Sequence, residues 1–192
     1  MASTAVMSSS TAVDLALLGL LAERPRLADE LIGAVKIMGG DRFTPTAAFI
    51  EGRLAHLIDT GCLERQRGGE RLSATRPGAA HLARLLRLEV DPGAAVLWAF
   101  CTTLKLSLLD RVGIECRREV VATLLCAGRR RTSALEMAQW AACGGPVMER
   151  CLALEQEREA LELRWLQEVM ASEGLGEGIG ERIGGAIGAT AA

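Results

Sequence analysis

The chain has 192 residues, of which 49% are apolar and 24% charged, with a formal charge of −2. That is ordinary for a folded protein of one domain or two small ones. There is no Tyr and there are only three Phe and three Trp; with Ala, Leu, Arg and Glu dominant, this favours a mainly α protein. No apolar run reaches the roughly 18 residues that a membrane helix needs.

Residues 1–13 are small and polar, with no basic segment ahead of an apolar core. They read as a disordered tail rather than a secretory signal, with Met7 as an alternative start and the cytoplasm as the expected compartment. Asp14 is placed to cap a first helix, Leu15 to Ala22, which stops before Pro25. A second helix is predicted from Leu27 to Met38, where Leu27, Leu31, Ala34, Val35 and Met38 recur at helical spacing. Gly39-Gly40-Asp41 ends it, and Arg42-Phe43 is a turn.

Thr44 is the natural N-cap of a third helix, with Pro45 at its first position. Ile50, Leu54 and Leu57 mark its core face, and Gly61 is its left-handed stop. Two short runs follow, Cys62 to Arg67 and Arg71 to Thr75, joined by Gly68-Gly69-Glu70 as a tight hairpin turn. A fourth helix begins near Arg76-Pro77 and runs to about Leu88. Two short helices, a third helix and a hairpin make a winged helix-turn-helix.

Asp91-Pro92-Gly93 is a clear break and the expected domain boundary. Beyond it come Ala94 to Leu109, then Glu115 to about Arg131, then a long helix that follows Gly144-Gly145-Pro146 and runs to about Met170. In the last, Val147, Leu154 and Leu161 are spaced by seven, as are Cys151, Arg158 and Trp165. That short heptad seam suggests dimerisation. From Gly174 onward seven of nineteen residues are Gly, a composition too flexible to fold alone. The organisation expected is therefore a tail over 1–13, a winged helix over 14–90, a helical dimerisation domain over 94–172 and a Gly-rich tail over 173–192.

Charge is unevenly spread. Residues 42–87 carry eight Arg against four acids, a net of +4, whereas residues 91–173 carry ten basic and twelve acidic residues. A local basic excess is how a protein finds DNA. The six cysteines (62, 101, 116, 126, 143 and 151) form no CxxC pair, and there are two His. Metal-ligand spacing is absent and no cofactor is implied; buried, reduced thiols are expected. No Gly-rich phosphate loop and no nucleophile–base motif emerges, so an enzyme is not expected.

The run Leu15-Ala16-Leu17-Leu18-Gly19-Leu20-Leu21-Ala22-Glu23-Arg24-Pro25 resembles the opening helix of the PadR family of bacterial transcriptional regulators. Pro45 to Leu63 looks like their recognition helix and its exit, and Leu72-Ser73-Ala74-Thr75-Arg76-Pro77-Gly78 is similar to the end of their wing. Ala94 to Met170 looks like their dimerisation region. Glu51 stands where the family usually has a Tyr. The resemblance implies a dimeric repressor on a pseudo-palindromic operator in double-stranded DNA, released by a signal such as a small aromatic effector.

On the third helix, the face away from the core is Ala48, Gly52, Ala55 and Asp59, small enough for close approach to a groove. Thr44, Thr46, Phe49, Arg53 and His56 are the expected DNA contacts of this helix. Arg65, Arg67 and Arg71 alternate along the hairpin and are expected to reach phosphates from one side of the wing. Trp98, Phe100, Cys101, Leu154, Leu161 and Trp165 are the candidates for an effector site or dimer interface. Two other readings compete: a degenerate winged helix used for protein interaction, and a redox sensor working through Cys62 with Cys101 or Cys151.

Overall fold

The computed structural model describes residues 6–41, 43–66, 69–91, 93–141 and 145–172. The expected Gly-rich tail and Arg67 lie outside the described residues. Two compact units meet at Gly113–Ile114. The boundary expected at Asp91-Pro92-Gly93 instead lies within the first unit.

The first unit is built on α1, Ser9–Glu23. This helix starts at Ser9 and not Leu15, because Ser8 and Thr11 form a capping box. The Ser8 hydroxyl accepts from the Thr11 N–H at 3.3 Å, and the Ser8 N–H donates to Thr11 Oγ1 at 2.7 Å. That reciprocal pair satisfies two otherwise orphaned groups. Just before it, Met7 is buried and its N–H donates to the Glu89 carbonyl at 2.7 Å. Residues 6–13 are thus part of the folded unit, not of a disordered tail. Asp14, expected as a cap, is buried within the helix.

Residues 12–19 of α1 are all buried. A helix apolar around most of its circumference belongs at the centre, and α1 is contacted by α2 (Ala28–Gly39), α3 (Ala47–Asp59), α4 (Arg76–Arg87), α5 (Ala95–Ser107) and the wing. Gly19 permits one of these contacts. A Cβ there would sit 2.6–2.7 Å from both Leu108 methyls, too close for carbon atoms.

The wing pairs β1 (Leu63–Arg65) antiparallel with β2 (Leu72–Ala74), Leu63 opposite Ala74 and Arg65 opposite Leu72. The segment between α1 and α2 adds a bridge to it. Arg26 and Leu72 exchange backbone hydrogen bonds of 3.1 and 2.8 Å, giving β2 a partner on its second edge. Thr75 caps α4 through the Gly78 N–H at 3.1 Å and donates to the Gly61 carbonyl at 2.6 Å. Gly78 lies so close to the Cys62 carbonyl that any Cβ would collide with it, which seats α4 against the start of β1.

The second unit has two long helices that pack along one another, α6 (Ile114–Ala141) and α7 (Pro146–Ser172). Val120, Val121, Leu124 and Leu125 of α6 and Leu166 and Met170 of α7 are buried. Between the helices Arg131 Nε donates to Glu159, both largely buried.

Candidate nucleic-acid interface

The chain enters α3 through Phe43 to Thr46. Thr46, not Thr44, is the N-cap, accepting from the Phe49 N–H at 3.2 Å. Pro45 precedes this cap rather than opening the helix. Thr44 is exposed ahead of it. The exit follows the expectation from Gly61, which holds a φ of 70° and donates to the Ile58 carbonyl at 2.9 Å.

The rotation of α3 follows from its apolar residues and one ion pair. Ile50, Leu54 and Leu57 are buried against the core. Beside them Arg53 Nε and Nη2 donate to the two oxygens of Asp14, at 2.8 and 2.5 Å. Such a planar two-point pair fixes orientation as well as charge. The Asp14 carboxylate holds the Arg53 guanidinium above its ordinary pKa, chiefly by the hydrogen bonds. Arg53 was expected to reach DNA. It is engaged with Asp14 inside the unit, and a carboxylate 39 residues earlier in the chain gave no local sign of this.

Ala48, Gly52, Ala55 and Asp59 are exposed on the outer side of α3, with Phe49, Glu51 and His56 exposed at its flanks. The outer surface is small and bears two acids. An α-helix of this profile can approach a groove closely, but phosphate attraction has to come from neighbouring elements.

The wing carries exposed cations. Arg65 and Arg71 are both exposed, but they do not share a side. The register sets Arg65 opposite Leu72, so Arg65 has the face of Leu72 and Arg71, one residue earlier, the other face. Gln66, whose N–H donates to the Arg71 carbonyl at 2.9 Å, is the cross-strand neighbour of Arg71. Arg71 Nη1 also donates to the Pro25 carbonyl at 3.2 Å. The sequence spacing had counted Arg65, Arg67 and Arg71 as one alternating row, which fails because the turn intervenes.

The other candidates separate into two groups. Trp98, Phe100 and Cys101 are buried. Phe100 stacks on Phe43, ring centroids 4.6 Å apart, tying α5 to the segment that leads into α3. The Trp98 Nε1 and Thr102 Oγ1 atoms, one helical turn apart, are buried without a hydrogen-bond partner. Burial pushes the Cys101 thiol up to about 12, with Lys105 opposing, the opposite of what a reactive thiolate requires. Cys62 and Cys116 are buried as well, whereas Cys126 and Cys151 are exposed, contrary to a uniform set of buried thiols.

Leu154, Leu161 and Trp165 form the second group. They are 65%, 61% and 47% exposed, with Val147 and Cys151 exposed on the same heptad face. Leu166 and Met170 are buried on a different side of α7. This helix therefore has two apolar faces, one packed on α6 and one facing outward.

The fold of the first unit is a winged helix-turn-helix. No family model matches this sequence, and no curated protein matches it. Among solved structures, the chain is similar to Bacillus subtilis PadR. A crystal structure of that protein is 16% identical over 86% of this chain and 97% of its own length, with a TM-score of 0.38. Its complex with p-coumaric acid gives the same identity and coverage, with a TM-score of 0.37. A further crystal structure of the same transcriptional regulator is 16% identical over 84% of this chain and 98% of its own length, with a TM-score of 0.36.

Proposed function

We propose that this chain is a DNA-binding transcriptional regulator of the PadR type, working as a homodimer. The observation that carries this reading is α3. It is capped at an open N-terminus, held in rotation by the Asp14–Arg53 pair, and presents a surface of Ala and Gly beside a wing with exposed arginines. Thr44, Thr46, Phe49 and His56 would meet the groove or its edge, with Arg65 and Arg71 on the backbone. The outward apolar face of α7 supports dimerisation. Two copies would set two α3 helices about one helical turn apart on a pseudo-palindromic site. Occupancy of a promoter would make the protein a repressor, and a small aromatic ligand engaging Trp98 would be its releasing signal.

A second reading has an observation of its own. The outer surface of α3 carries Glu51 and Asp59, and its arginine is engaged inward. A winged helix of that kind suits protein interaction. Gel shifts against the DNA upstream of the protein's own gene, at two salt concentrations, separate the two. Binding that weakens steeply with salt supports the regulator, because phosphate contacts release counterions. No binding at either concentration favours the interaction module.

A further inference from the structure

Glu162 stands at the edge between the two apolar faces of α7. Around the helix axis it lies about 60° from Trp165 on the outward face and about 40° from Leu166, which is buried. Its side chain is half-buried and makes no hydrogen bond or ion pair among the described residues. The charged groups around it are engaged with others. From α6, Arg131 Nε donates to Glu159, and on α7 itself Arg158 lies 4.0 Å from Glu155. Burial chiefly, then Glu159, raises the pKa of Glu162, with Arg158 and Arg131 opposing. The outward heptad seam is flanked by Met148, Glu155, Glu162 and Val169 on one side and by Arg150, Glu157 and Arg164 on the other. In a parallel pair of α7 helices, Glu162 meets Glu157 of the second copy. In an antiparallel pair each flank meets its own kind, so Glu162 meets acid or apolar side chains again. Neither direction brings it a flanking cation.

We propose that a second copy covering the outward face of α7 takes Glu162 into the interface in its protonated form, so that homodimer formation is coupled to proton uptake and strengthens as the pH falls. The coupling rests on the reading of that face as the homodimer surface. In the single chain, water reaches part of the Glu162 carboxyl. The second copy removes that water and sets acid or apolar groups in its place. Both changes disfavour the carboxylate and leave the neutral acid almost unaffected. The dimer therefore holds the proton better than the separate chains do. Its dissociation constant falls as the pH drops through the interval between the two pKa values, and levels off below that. By the same linkage, a rise in pH loosens the dimer without any change at the wing or α3.

The test is sedimentation equilibrium of the full chain between about pH 8 and about pH 5 at fixed ionic strength, a span above the ordinary carboxylate range. The wild-type dissociation constant is expected to fall roughly tenfold over that span, the yield of about one linked proton across one pH unit. Glu162→Gln has the shape of the protonated acid and cannot titrate. It should dimerise at the upper pH about as tightly as wild type does at the lower, and lose most of the response. Far-UV circular dichroism should stay constant over the same span in both proteins, which separates association from folding. A wild-type dissociation constant that is level with pH, or a response that Glu162→Gln retains, overturns the coupling while leaving the homodimer intact. A Glu162→Gln dimer weaker than wild type at every pH overturns it as well, because the carboxylate would then be an attractive contact. Wild-type protein that is monomeric at every pH and concentration overturns the homodimer reading itself, and this coupling with it.

Discussion

The two units finish their cores differently. In the first, α1 is enclosed by four helices and the wing, and its cap, its ion pair and its close backbone approaches are all internal. In the second, α6 covers one apolar side of α7 while Leu154, Leu161 and Trp165 face outward. Considered by itself, the first unit encloses its central helix and is closed, whereas the second leaves an apolar face of α7 open. Two helices sharing a single seam seldom supply enough buried area to be stable alone. The proposed function puts recognition in the first unit and association in the second, a division that substitutions can test.

The strongest way to break that comparison is to charge the open face. Each fully buried Leu contributes about 1.5–3 kcal/mol, and a two-fold interface uses each one twice. Leu154→Glu with Leu161→Glu is therefore expected to cost on the order of 6 kcal/mol of association or more and to leave a monomer in light scattering. If the double variant stays dimeric, α7 is not the interface.

A smaller loss is expected inside the closed unit, where a single methyl group suffices. Gly78→Ala drives a Cβ into the Cys62 carbonyl, a backbone atom that cannot turn aside. About 3 kcal/mol of stability should be lost in urea unfolding, with α4 shifted off the wing. Asp14→Asn should cost about 2–3 kcal/mol, because it leaves the Arg53 guanidinium inside without its carboxylate. The double change Asp14→Leu with Arg53→Met removes both charges and should restore part of that loss. No restoration would mean that the pair fixes the rotation of α3 in a way apolar packing cannot replace.

These same residues show what the linear sequence reveals. Many of the local signals could be read. The Gly61 stop, the two hairpin runs, the Ile50–Leu54–Leu57 stripe and the heptad on α7 each depend on residues within a turn or two. Two local signals were nonetheless missed, the Ser8–Thr11 capping box and the Thr46 cap, and the other expectations that failed depend on distant partners. Asp14 looks like a cap to anyone reading forward from Val13, and only the packing of α3 on α1 shows that it belongs to Arg53. Residues 6–13 look featureless until Met7 pairs with the chain at Glu89, and Leu108 ties the end of α5 to Gly19 across the break at Asp91. The wing arginines sit on opposite faces because register, not spacing, decides facing in a hairpin. The α7 stripe is a different case. Its spacing was legible, but whether it faced inward or outward was not, since both of its apolar faces follow the same period.

The smallest effect expected is one of sign, and it sets the units against each other most finely. In the first unit burial lowers the pKa of His81, so the unfolded chain binds the proton better than the folded one. Its contribution is complete above the ordinary imidazole pKa of 6.5 and is lost as the pH falls below it. In the second unit burial, reinforced by Glu159, raises the pKa of Glu162. There the folded state holds the proton better, so stability is favoured below the ordinary 4.5 and declines as the pH rises through the shifted value. Urea midpoints of His81→Gln should therefore fall less than wild type between neutral and mildly acidic pH in the absence of DNA. Glu162→Gln should gain stability chiefly at neutral pH. Both residues are partly exposed, so each shift should be small beside the Asp14 and Gly78 losses. If His81→Gln follows the wild type throughout, the imidazole is not held neutral by its surroundings, and the closed unit has no acid-sensitive edge at α4.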